Sequence, residues 1–259
     1  MPSNVTVPPA LTRLYSWFSA IVAEDYALLD DLLAHGLPVD VPHPLRHTTA
    51  LMEATRLGRT DLVAWLLSQG AAPAFLCGLP RGTPLHCALR RHHWDIAQLL
   101  IEASAGCGEV DHYSRTPLHL ISMDMPEESD MQASLNIAEA LLKKGCQMDA
   151  LDHEGITALH YCVINDYAAL ATLLLVNGAN PNILTPDTHV SPLTIAALEK
   201  NVMIAQLLLQ HGANPNLPTK EGSTAFTIMP SLKRLASAVP GDTRFNPPSV
   251  AHPRQRTVN

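Results

Sequence analysis

The chain has 259 residues, 47% of them hydrophobic, which is ample for a sizeable core. Its net charge of −7 excludes a general nucleic-acid binder, which needs a basic stripe to displace counterions. No run reaches the roughly 18 to 20 apolar residues of a membrane-spanning helix, and five cysteines with no Cys-x-x-Cys spacing suggest reduced thiols rather than a disulfide framework or zinc knuckle.

Residues 1–10 form an N-terminal extension, interrupted by Pro8 and Pro9 and lacking the basic start and apolar stretch of a secretory signal. Between 11 and 46 the chain reads as a degenerate repeat that caps the units after it. Leu28, Leu29, Leu32 and Leu33 build one apolar helix face, and Gly36 stands 34 residues before Gly70.

Residues 47–229 carry a phrase that keeps returning. It is fullest at Thr83-Pro84-Leu85-His86-Cys87-Ala88, with partial copies at Thr116-Pro117-Leu118-His119 and Thr157-Ala158-Leu159-His160. Counterparts of its threonine at Thr49, Thr83, Thr116, Thr157, Ser191 and Thr224 are 34, 33, 41, 34 and 33 residues apart. A fixed period of this length specifies stacked units, each buried against its neighbours.

In the unit opened by Ser191, the hydroxyl residue caps a helix and Pro192 occupies its first position. Leu193, Ala196 and Ala197 point inward, and Ile204, Ala205, Leu207, Leu208 and Leu209 supply the core stripe of a second helix, ended by Gly212. The one long interval adds eight residues to the Thr116 unit. Its helix-ending glycine, Gly145, stands 29 residues after Thr116, where Gly70, Gly178 and Gly212 stand 21 after theirs, so the extra residues fall between the two helices, with 123–130 the natural choice. Asp124, Glu127, Glu128 and Asp130 make this insertion acidic. It is either an element for a basic partner or a loop extension that repeats tolerate. Residues 230–259 read as a short closing helix and then a disordered, basic, proline-containing tail.

The phrase, the period and the recurring glycine together resemble the ankyrin repeat. The resemblance implies an all-α solenoid of helix-turn-helix units with projecting β-turn loops, about five recognisable repeats between degenerate caps. It also implies that Thr83 and His86, Thr116 and His119, and Thr157 and His160 belong to a hydrogen-bond lattice joining neighbouring units. Departures are Thr49-Ala50-Leu51-Met52, which has no histidine, Thr194 at the histidine position, and Ser104 in place of a helix-ending glycine.

Carried over position by position, partner contacts fall on the inner helices and turn tips. Arg56, Arg90 and Arg91 give the early units a basic tract, while Tyr161, Ile164, Ile195 and Leu198 make the late ones apolar. Glu53, Cys87 and Leu120 occupy further inner-helix positions. Phe75, Leu76, Tyr113 and Asp152 stand at tips, where exposed apolar groups call for a cover.

No nucleophile elbow, phosphate loop, dinucleotide fingerprint or metal-ligand set is present in the sequence. The expectation is therefore a non-enzymatic, cytoplasmic, monomeric module that binds another protein as adaptor, scaffold or inhibitor, with no cofactor, nucleic acid or membrane. The rival is a secreted, toxin-like effector that uses the repeats to find a host protein. It has only about 10 residues before the helices and about 30 after Met229 for any activity.

Overall fold

The computed structural model describes residues 9–75, 82–106 and 108–238. Its helices fall into pairs: α1 (Pro9–Ala23) with α2 (Tyr26–Ala34), α3 (Ala50–Leu57) with α4 (Thr60–Ser68), and α5 (Pro84–Arg90) with α6 (Trp94–Glu102). Next come α7 (Pro117–Met123) with α8 (Met131–Lys143), α9 (Ala158–Ile164) with α10 (Ala168–Val176), α11 (Pro192–Leu198) with α12 (Val202–Gln210), and α13 (Ala225–Ile228) with α14 (Leu232–Ala238). The first helices of successive pairs pack on one another from α1 to α13, and the second helices do so from α4 to α14. The result is a two-layered stack, as the period specifies.

Each layer has its own packing chemistry. Ala54, Ala88, Cys162 and Ala196 share one position of the inner helices and are fully buried, and their small volume lets those helices approach closely. The outer helices contribute leucines: Leu66, Leu100, Leu141, Leu174 and Leu208 recur at one position and are wholly inaccessible. Burying each stabilises the stack by about 1.5–3 kcal/mol before entropy is counted. Trp17, Phe18 and Ile21 of α1 close one end of this core, and Met229 and Leu232 close the other.

Helix ends obey the sequence rules with instructive exceptions. Gly70, Gly145, Gly178 and Gly212 each end an outer helix with positive φ, and at the same point of the third unit Ser104 adopts φ 66°. A serine there bears the steric cost that glycine avoids. The repeat phase places Tyr15 opposite Thr49, yet Tyr15 lies inside α1 rather than capping it, because α1 is nearly twice as long as α3.

Met123 is the last residue of α7, the acidic residues Asp124, Glu127, Glu128 and Asp130 lie in the loop after it, and the rest of the extra length lies in α8. Seven residues, Asp124 to Asp130, separate α7 from α8, where three separate α9 from α10, and α8 has 13 residues against nine in α10. Half of the extra length therefore forms an additional helical turn. Asn165 of the next unit donates from Nδ2 to the Ser122 and Met123 carbonyls at 2.9 and 2.7 Å, which satisfies the end of α7 where the insertion leaves it.

A second seam of hydrogen bonds joins units beyond the outer helices. The Asp40 carboxylate accepts the Ala72 N–H, Asp149 accepts that of Asn180, and the Asn182 side chain accepts that of Asn214 while donating to the Gly212 carbonyl. Short acceptors at one repeat position thus bind the backbone of the neighbouring unit.

Candidate functional site

The repeat phrase assembles a lattice between units. Thr83 and Thr157 cap their inner helices by accepting the N–H of His86 and His160, and the N–H groups of Thr83, Thr116 and Thr157 donate back to Nδ1 of His86, His119 and His160 at 3.3, 3.1 and 3.3 Å. The threonine hydroxyls lie 2.8, 2.8 and 2.7 Å from the same ring nitrogens. A nitrogen that accepts from a backbone N–H carries no proton, so the proton sits on Nε2. Each Nε2–H then donates across the unit boundary, to the carbonyls of Arg115, Ile156 and Val190 at 3.2, 3.0 and 3.3 Å.

Burial lowers the pKa of all three histidines, to about 4 for His86 and His160. With both ring nitrogens occupied and the neutral form favoured, these side chains tie units together and hold no free valence for chemistry. Thr194, at the histidine position, meets Ser191 Oγ at 3.0 Å, a bond confined to its own unit.

The turn tips are fastened by carboxylates. Asp111 and Asp152 stand five residues before the repeat threonines and are both buried. Asp111 accepts the N–H groups of Tyr113 and Arg115 and pairs with the Arg115 guanidinium at 2.9 and 2.7 Å. Its burial raises the carboxyl pKa, but these bonds outweigh that and hold it below the ordinary range. Asp152 accepts the N–H groups of Glu154 and Ile156 and also the Tyr161 hydroxyl at 2.7 Å. The expectation that Asp152 is a tip residue open to partners is corrected by this burial. The sequence signal that was missed is an acid at a fixed distance from the threonine.

Around these anchors the tips do present side chains. Tyr113 is 41% exposed, with its ring 3.7 Å from that of His112, 5.1 Å from that of His153, and 4.5 Å from the Arg115 guanidinium. Phe75 is 40% exposed. Leu76 lies outside the described residues.

On the inner-helix face, three repeat positions decide what is open. The position of Glu53, Cys87 and Leu120 is closed, which corrects the expectation that these three face a partner. Cys87 packs against Met52. Glu53 accepts two hydrogen bonds from Arg56 at 2.9 and 2.8 Å and one from the Thr48 hydroxyl at 2.9 Å. Burial raises the Glu53 pKa, and those partners more than reverse it. Arg56 is therefore committed to its own helix. Tyr161 and Ile195, at the same position as Glu53, are half-buried.

Three residues further along each helix the surface opens. Arg90, Ile164 and Leu198 are exposed at one repeat position, the two aliphatic residues by 49% and 55%, and Arg91 is exposed beside Arg90. Among the described residues no three or more His, Cys, Asp or Glu side chains are placed to hold a metal. Cys87 and Cys162 are free and buried, Cys146 is buried, and burial pushes the Cys162 thiol up to about 12. No helix is long and apolar enough to cross a membrane among the described residues.

Comparison with known proteins agrees with this geometry. The family description "Ankyrin repeats (3 copies)" matches residues 51–129, 106–185 and 129–219. The chain is 27% identical over 187 residues to the potassium channel AKT2/3 of Arabidopsis thaliana, an alignment covering 72% of this chain and 22% of the channel. It is 33% identical over 121 residues to the B-cell lymphoma 3 protein homolog of Mus musculus, covering 47% and 26%. It is 33% identical over 151 residues to ankyrin repeat and SOCS box protein 16 of Homo sapiens, covering 55% and 30%. The chain thus spans less than a third of the length of each of these relatives.

Proposed function

Because this chain belongs to the ankyrin-repeat family, we propose that it is a non-enzymatic module that binds another protein through its inner-helix face and turn tips. The observation that carries this reading is selective exposure. The inner helices bury almost every side chain, yet leave Arg90, Ile164 and Leu198 open at one repeat position of three units, with Arg91 open beside Arg90 and half-buried Met123 in the unit between. Large aliphatic groups held in a line at the surface favour a covering partner.

The role is that of an adaptor, scaffold or inhibitor, acting as a monomer in a reducing, cytoplasmic setting that suits the buried free thiols of Cys87 and Cys162. Affinity capture with the wild-type chain and with a variant carrying Arg90→Glu, Arg91→Glu, Ile164→Glu and Leu198→Glu tests it. The expected result is loss of the proteins retained by the wild type, with no change in the thermal midpoint. An unchanged set of captured proteins would falsify this reading.

A further inference from the structure

The open position of the inner helices changes chemistry along the stack. It is occupied in order by Arg56, Arg90, Met123, Ile164 and Leu198, of which Arg90, Ile164 and Leu198 are exposed and Arg56 and Met123 half-buried. One line of equivalent sites is thus cationic at one end and aliphatic at the other. The neighbouring position continues the pattern with Leu57, Arg91, Asp124, Asn165 and Glu199.

The cationic end is concentrated and uncompensated. Arg90 and Arg91 are adjacent and exposed at the end of α5, and half-buried Arg56 holds the position of Arg90 in the preceding unit. Arg56 is neutralised by Glu53, but no carboxylate forms an ion pair with Arg90 or Arg91 among the described residues. An acidic partner group is the complement that this end lacks.

At the far end, Ile164 and Leu198 stand half out of the surface, backed by half-buried Tyr161 and Ile195. Beyond Leu198 the corner into α12 adds Val202 and Met203, 45% and 78% exposed. Between the two ends, Asp124 is exposed at the position of Arg91, where it repels an acidic group displaced toward the aliphatic end. Neighbouring helices pack 8–10 Å apart, so Arg90 and Leu198, three units apart, are separated by about 24–30 Å.

Resting on the reading that this face binds a protein, we propose that the partner segment is about 25–30 Å long, acidic where it covers Arg90 and Arg91, and apolar where it covers Ile164 and Leu198. A helix of about 20 residues has this length. Acidic groups in its first turns also stabilise the helix itself, through the partial positive charge at its N-terminus.

The probes are two synthetic helical peptides of about 20 residues with identical composition. In one, glutamates fill the first two turns and leucine and phenylalanine the last two; in the other the same residues are interspersed. Trp17, Trp65 and Trp94 are the chain's only tryptophans and all lie in the first three units, so energy transfer to a dansyl group on either peptide end reports orientation. The segregated peptide is expected to bind at least about tenfold more tightly, a difference of about 1.4 kcal/mol. Its affinity should fall with salt, and it should quench tryptophan more when the dansyl group is on the acidic end. Arg90→Gln with Arg91→Gln, and separately Ile164→Ser with Leu198→Ser, should each weaken it severalfold without altering the circular dichroism.

No binding of the segregated peptide, equal affinity for both peptides, or stronger transfer from the apolar end overturns the polarity. If both peptides bind equally and every substitution weakens them, the polarity is wrong and the inner-helix face still binds. If the peptides bind and no substitution matters, the broader reading falls as well.

Discussion

Acidification from pH 7 to pH 5 should weaken this protein through the histidines that join its units. His86 and His160 have pKa values lowered from 6.5 to about 4 by burial. The folded pKa is the lower one, so the unfolded chain takes up protons first. The stabilisation is complete above about pH 6.5 and is lost as pH falls toward 4. At pH 5 an ordinary histidine is almost fully protonated while these two remain neutral, which costs about 2 kcal/mol each. Their combined loss of about 4 kcal/mol is a large share of a typical domain's stability.

His119, shifted in the same direction, adds to this loss. Glu53 and Asp111, whose pKa values are lowered, release their contribution only at more acid pH and leave this window to the histidines. Urea unfolding monitored by circular dichroism should show the midpoint falling by more than about 1 M between pH 7 and pH 5. The Hε1 resonances of His86 and His160 should not titrate until well below pH 6. A flat midpoint, or either resonance titrating near 6.5, would refute the assignment of Nε2–H donors and of the lattice itself. As an internal control, His160→Thr should cost about 1–3 kcal/mol at pH 7 and remove part of the pH dependence.

Single contacts give three further outcomes. Asp111→Ala should destabilise the chain by about 3–5 kcal/mol in chemical denaturation, because it strands a largely buried Arg115 guanidinium and two turn N–H groups. Gly155→Ala should cost at least about 1 kcal/mol, since φ is 73° there and a Cβ would overlap the Pro186 ring of the next turn; an unchanged midpoint would show that the turns do not pack so closely. Cys162 should resist iodoacetamide in the native state and react on unfolding, because its thiolate is suppressed by complete burial. Alkylation at the rate of a free thiol would contradict that burial.

Much of this molecule was legible because a repeat restates its own rules. The resemblance of the Thr-x-x-His phrase to the ankyrin repeat implied the lattice, and Ser191-Pro192 by itself anticipated the cap of α11, since capping depends on residues only three apart. The departures at Met52, Ser104 and Thr194 were visible as breaks in the phrase, and the structure shows what two of them cost: no cross-unit bond from Thr194, a strained φ at Ser104. Less was legible of the candidate site. Inner-helix positions read alike from unit to unit, yet Glu53 is buried with Arg56 and Thr48 as its partners while Tyr161 and Ile195, at the same position, are half-buried.

The acidic insertion shows the same boundary. Its place was read from the long Thr116–Thr157 interval together with Gly145, and its charge from Asp124, Glu127, Glu128 and Asp130. How the extra length divides between a loop and an added turn of α8 depends instead on how far that helix gains by packing against α6 and α10. Local rules, which act over three or four residues, set where each helix begins and which face it buries. Which open positions remain open, and in what order their charges and aliphatic groups line up, depends on neighbours some thirty residues away, and only the stacking of the units brings those together.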